Sequence, residues 1–134
     1  MKHQPVMSIT ACVFDAYGTL FDFTSAAAQE QRVLGDKWQA LSDLWRTKQL
    51  QYTWLRRLME KHADFWQVIT DRFSVKADQI CFVSSNAWDA HAAKAFGFRV
   101  VWCNRFGQTP ERIPLPPDGE ITTLASLPAI VGMT

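Results

Sequence analysis

Three short apolar runs, each breaking off into polar residues, constrain this chain more than any other feature: Ser8 to Phe14 (SITACVF), Gln79 to Ser84 (QICFVS) and Arg99 to Cys103 (RVVWC). Runs of this length, rich in β-branched and aromatic residues, read as buried strands. Between them lie stretches with helical spacing. Ala40 to His62 sets Leu41, Leu44, Trp45, Tyr52, Leu55 and Met59 on one stripe, a face that asks for a packing partner. Arg46, Leu50 and Trp54 recur every four residues on another side of that helix. A short amphipathic stretch follows Phe65-Trp66 to about Phe73. After the second run, Ser85 or Asn86 can cap a helix that has Asp89 in its first turn and Gly97 at its left-handed end. Asn104 to Glu120, rich in Pro and Gly, reads as a loop before Ile121 to Thr123 and a final short helix from about Leu124.

Strands interleaved with helices predict an α/β fold built on a parallel sheet, and such sheets bind ligands beyond the carboxyl ends of their strands. Asp15 and Ser84 both stand at strand ends, so polar groups from distant parts of the chain converge on one crevice. With 134 residues, a single domain over 1–134 is expected, with room for a real core. Apolar residues make up 48% and the net charge is +1, which gives no electrostatic case for nucleic acid. Cys12, Cys81 and Cys103 are widely spaced within apolar runs and read as buried hydrophobes. Met1 to Ile9 lacks the apolar run of a signal peptide and no later segment is long enough to span a bilayer, so a cytoplasmic protein without membrane contact is expected.

Asp15 closes the first strand and is followed by Ala16, Tyr17 and Gly18, whose backbone amides are placed to face an anion. An isolated Asp-x-x-Gly is equally a turn signal. The longer pattern VFDAYGTLFD, from Val13 to Asp22, resembles the first motif of the haloacid dehalogenase superfamily, in which an aspartate at the end of the first strand is the nucleophile. Phosphatases of that superfamily carry a second aspartate two residues on; here Tyr17 stands there. A departing halide needs no proton, so the exchange suits carbon–halogen cleavage better than phosphoryl transfer.

Two further segments narrow the resemblance. LSDLWRTKQLQYTWLRRLM, from Leu41 to Met59, is similar to the first cap helix of the type II, (S)-2-haloacid dehalogenases, and FVSSNAWDAHAAKAFGFRVVWCNR, from Phe82 to Arg105, to their last motif. The resemblance implies a reduced Rossmann-like parallel sheet of about three to four strands with a truncated helical cap. Core would fall at 8–23 and 78–134, and the cap remnant at about 38–73. It implies Asp15 as nucleophile, Thr19 as the hydroxyl bonded to it, Arg46 as halide acceptor, and Ser84, Asn86 and Asp89 as holders of the hydrolytic water and orienters of the nucleophile. Ala16 and Tyr17 would seat the substrate carboxylate by their amides, and Leu50, Phe65 and Trp88 would wall the pocket. A guanidinium in a dry pocket stabilises an anion that develops only as the bond breaks. Neither metal nor other cofactor is implied. His3, His62 and His91 match nothing catalytic.

The likeness covers roughly Ile9 to Phe73 and nearly everything from Asp78 onward. About a dozen residues, Gln67 to Asp78, stand where the family has the remaining cap helices, a Ser-Asn-Gly strand and a Lys-Pro motif. Without its neighbour on that side, the first strand is expected to be a sheet edge that favours association or a homodimer. Three readings are open: a dehalogenase acting on short 2-haloacids and releasing halide, a non-catalytic remnant that binds small carboxylates, and a phosphatase.

Overall fold

The computed structural model describes residues 9–22, 25, 28–29, 31–60 and 65–132. Its ordered elements are β1 (Ala11–Phe14), α1 (Gln31–Leu34), α2 (Trp38–Leu58), α3 (Phe65–Phe73), β2 (Ile80–Ser84), α4 (Ala87–Phe96), β3 (Arg99–Cys103), β4 (Gly119–Ile121) and α5 (Leu127–Val131). The strands form one sheet in the order β1-β2-β3-β4. Every pairing is parallel, so the α/β class expected from the alternation of runs is the observed one. The chain divides into two compact units, Met1–Phe21 with Trp66–Thr134, and Asp22–Phe65.

In the first unit the period of two along the strands separates two apolar layers. Ile80 and Phe82 of β2, Val100 and Trp102 of β3, Ala90 and Ala93 of α4, and Ile69 of α3 form one buried cluster, with Ala11 and Val13 of β1 packed against it. Trp66 meets Phe82 and Phe98 edge to face, with centroids 4.8 and 5.4 Å apart. Those contacts tie α3 into this unit. The alternate residues, Cys81, Val83, Val101 and Cys103, pack with Ile121, Leu127, Ile130 and Val131 on the other face, joined by Cys12 and Phe14. All five residues of β2 are buried, whereas all four of β1 are half-buried, as befits the strand at the end of the order.

Local chemistry sets the helix that flanks the site. The Asn86 side chain accepts from the backbone N–H of Trp88 at 3.0 Å, the N-cap anticipated from sequence. Alanines fill much of α4, and Gly97 ends it at φ +113°, a left-handed conformation that costs glycine little. The segment after β3 is a loop tied back to α4 and β3: His91 Nδ1 lies 3.0 Å from the carbonyl oxygen of Pro114, and Asp118 bridges Lys94 while accepting from the N–H of Val100 at 2.8 Å. β4 begins at Gly119, two residues earlier than the sequence pattern indicates, because it pairs with β3 from Val101 onward.

The second unit is dominated by the 21 residues of α2. Its expected apolar stripe is not covered: Leu41, Leu44, Trp45, Tyr52, Leu55 and Met59 are all exposed, and Ser42 is the buried residue of the helix. Within this unit the other described elements are α1 and a single 3₁₀ turn, too little mass to bury a stripe of that length. No described helix is long and apolar enough to cross a membrane.

Candidate active site

The crevice is built where β1, β2 and β3 end side by side. Asp15 follows β1, and its backbone N–H donates to Val83 of β2 at 2.9 Å, holding the carboxylate beside the Ser84-Ser85-Asn86 turn. The chain then turns tightly. Leu20 and Phe21 both donate to the carbonyl of Ala16, at 2.9 and 2.8 Å, and Gly18 donates to Phe21 at 2.7 Å. Gly18 sits at φ +92°, a left-handed conformation that favours glycine, and a Cβ there would meet Ser85 Oγ at 3.4 Å.

Proton accounting gives the network around Asp15 one direction. Ser85 Oγ donates to the Gly18 carbonyl at 2.7 Å, which uses its proton. The Ser85 backbone N–H donates to Thr19 Oγ1 at 2.7 Å. Thr19, 2% exposed, keeps its own proton to donate, and Asp15 Oδ2 lies 3.1 Å from its Oγ1 as an acceptor. Ser85 Oγ, also 3.1 Å from Thr19 Oγ1, sits on the same hydroxyl.

β3 contributes the last strand end. Arg105 lays its guanidinium across two successive carbonyls of the nucleophile loop, Nη1 to Gly18 at 2.9 Å and Nη2 to Thr19 at 2.6 Å. Trp102 Nε1 donates to the Ser85 carbonyl at 3.2 Å. Neither Arg105 nor Ser85 stands out in the sequence. Both act on backbone groups 86 or 87 and 67 residues away respectively, and only a strand order puts them within reach.

Of the site residues expected from sequence, the first unit brings together Asp15, Ala16, Tyr17, Thr19, Ser84, Asn86, Trp88 and Asp89 around these strand ends. Ser84 is fully buried, and its hydroxyl accepts from the N–H of Asn86 at 3.0 Å. Asn86 uses its side-chain oxygen as the α4 cap, and Asp89 stands in the first turn of that helix. Tyr17 and Trp88 are half exposed, and Trp88 Nε1 donates to Glu111 at 3.1 Å. Arg46 and Leu50 lie on α2 in the second unit, where Arg46 donates to Gln49 at 3.4 Å. The Phe65 side chain, Ser8, His3 and His62 fall outside the described residues. Among the described residues, no three His, Cys, Asp or Glu side chains gather as a metal site.

A parallel sheet with a hydroxyl-bonded aspartate at the end of its first strand, facing a polar turn from the next, makes an α/β fold with a candidate carboxylate site at its strand ends. No family model matches the chain. It is 26% identical to (S)-2-haloacid dehalogenase 1 of Pseudomonas sp. (strain CBS-3) over 219 aligned positions, covering 92% of this chain and 96% of that protein. With (S)-2-haloacid dehalogenase 4A of Burkholderia cepacia it shares 27% over 218 positions, covering 91% and 94%. The solved structure of a dehalogenase with an intermediate complex superposes with a TM-score of 0.80 at 26% identity, covering 92% of this chain and 97% of that one. Over nearly its whole length the chain is thus similar in sequence and fold to the (S)-2-haloacid dehalogenases. The match runs nearly end to end in both proteins, although its 219 aligned positions outnumber the 134 residues of the chain, so positions without a counterpart fall inside it.

Proposed function

We propose that this chain hydrolyses short (S)-2-haloalkanoic acids to (R)-2-hydroxyalkanoic acids through an ester on Asp15. The observation that carries the reading is Asp15 itself: a strand-end carboxylate aligned by the buried Thr19 hydroxyl, with Tyr17 in place of the acid a phosphatase uses. An Asp15 carboxylate oxygen attacks carbon 2 from the side opposite the halogen, the carbon–halogen bond breaks with its electron pair leaving on halide, and the carbon inverts. Water then cleaves the aspartyl ester, returning the carboxylate and releasing the hydroxy acid. The amides of Ala16 and Tyr17 are assigned to the substrate carboxylate, Ser84, Asn86 and Asp89 to the water, and Trp88, Leu50 and Phe65 to the apolar wall. Arg46 is assigned to the halide, and about 38–73 is read as the remnant of the family's cap. A metal-independent reaction in the cytoplasm, by a chain that associates as a homodimer through the edge of β1, completes the reading.

Chloride released from (S)-2-chloropropionate tests it. Release that persists with chelator present and vanishes in Asp15→Asn is expected; equal release from both proteins would refute Asp15 as the nucleophile. One observation favours a second reading, a remnant that only binds small carboxylates: the aligned positions outnumber the residues present, and nothing in the chain matches the family's Ser-Asn-Gly and Lys-Pro segments. Carboxylate binding without halide release from wild type would select it. Light scattering at micromolar concentration reads the oligomer, and a strictly monomeric species would remove the dimer.

A further inference from the structure

Cys12 and Cys81 stand outside the chemistry above, and the sheet makes them a pair. They are register partners across the parallel β1–β2 pairing, with side chains on the same face of the sheet. Cys81 is 1% exposed, whereas Cys12 is partly open and lines a cavity of about 430 Å³. Phe14, Leu20, Leu124, Leu127, Pro128 and Val131 supply the rest of its wall. Cys103, the third cysteine, is buried on β3 and takes no part in the cavity wall.

We propose that Cys12 and Cys81 form a dithiol site for a monosubstituted trivalent arsenical, whose organic group occupies the adjoining apolar cavity and whose arsenic bridges both sulfurs. In the reaction two arsenic–sulfur bonds form, the arsenic–oxygen bond of the arsenoxide breaks, and its oxygen leaves as water with both thiol protons. Arsenic stays trivalent, so no oxidant or reductant is consumed.

The surroundings select this class of ligand. Burial pushes the Cys81 thiol up to about 12 and raises Cys12 as well, so a free thiolate is disfavoured at this position. The arsenical adduct is neutral and leaves no buried charge. A disulfide would need an oxidant and begins with a thiolate, whereas the arsenoxide is taken up without any redox change. One bridging atom joins two register partners on one face of the sheet without drawing the strands together. The apolar wall accepts an aryl or alkyl substituent, which a bare aqueous cation lacks.

Native mass spectrometry of the reduced full chain with phenylarsine oxide, in excess mercaptoethanol, tests the site. One phenylarsenic per chain is expected, resistant to mercaptoethanol and stripped by ethanedithiol. It should be lost in Cys12→Ala and in Cys81→Ala and kept in Cys103→Ala. No adduct on wild type, or one that persists undiminished in either of the first two variants, overturns the proposal. Should an alanine variant lose its far-ultraviolet circular dichroism, fragmentation of the loaded wild-type chain decides instead: added mass linking Ala11–Phe14 with Ile80–Ser84 supports the site, and mass at Cys103 overturns it.

Discussion

Replacing Thr19 with valine removes a hydroxyl and little else, because the two side chains have nearly the same shape. Thr19 is 2% exposed, so the change takes place where water does not compensate. Two losses follow. The bond to Asp15 Oδ2 has a charged acceptor and contributes about 1.5–3 kcal/mol. The Ser85 N–H, which gives its proton to Thr19 Oγ1 at 2.7 Å, is left without that acceptor, at about 1–3 kcal/mol. The two share one hydroxyl, so they do not simply add, and about 3 kcal/mol is the expected loss. Urea unfolding followed by far-ultraviolet circular dichroism reads it directly. With a slope of about 1–3 kcal/mol per molar, the midpoint should fall by about 1–3 M. Thr19→Ser keeps the hydroxyl and loses a methyl group, so it should cost only about 1 kcal/mol. A midpoint for Thr19→Val within about 0.3 M of wild type, or equal losses in the valine and serine variants, would refute the hydrogen-bond accounting.

Other consequences follow from the same geometry. Cys81 keeps its proton in the folded chain to about pH 12 but releases it near 9 when unfolded, so between those values the folded state holds the extra proton. Stability from this group is therefore full below pH 9 and should fall by about 1.4 kcal/mol per pH unit above it; Cys81→Ala should flatten that slope in urea titrations across pH. Arg105→Met frees the carbonyls of Gly18 and Thr19, and we expect about tenfold lower chloride release with the dissociation constant for substrate less affected; unchanged turnover would dismiss Arg105 as a positioning residue. Gly18→Ala puts a Cβ at φ +92° facing Ser85 Oγ and should cost about 1–2 kcal/mol in thermal or urea unfolding.

What the residues disclose on their own follows the range of the interactions concerned. β3 was legible to the residue, and β2 nearly so, because runs such as QICFVS carry their burial in their own side chains. Asn86 as a cap and Gly97 as a stop are likewise decided within a few residues. The contacts of Arg105 and Ser85 with the loop after Asp15 were not legible, since the partners are backbone carbonyls, which have no sequence signature, and they meet only after β1, β2 and β3 align. The stripe on α2 illustrates the opposite error. Its helical spacing was read correctly, yet spacing says that a face is apolar and not that anything covers it, and Leu44, Trp45 and Tyr52 stand exposed. Asp15 is an intermediate case: its motif pointed to a nucleophile, and the strand-end geometry supplied the hydroxyl that orients it.

The clamp of Arg105 on the loop after Asp15 carries a consequence for how such a chain is made. Synthesis proceeds from the N-terminus, so Asp15 and its turn emerge long before Ser85 and Arg105, which lie 67 and up to 87 residues downstream of the groups they hold. Until most of the chain has been translated, the nucleophile loop lacks every long-range anchor described above. The loop thus lacks those anchors until late in synthesis, and a nascent or prematurely terminated chain carries the motif without the site.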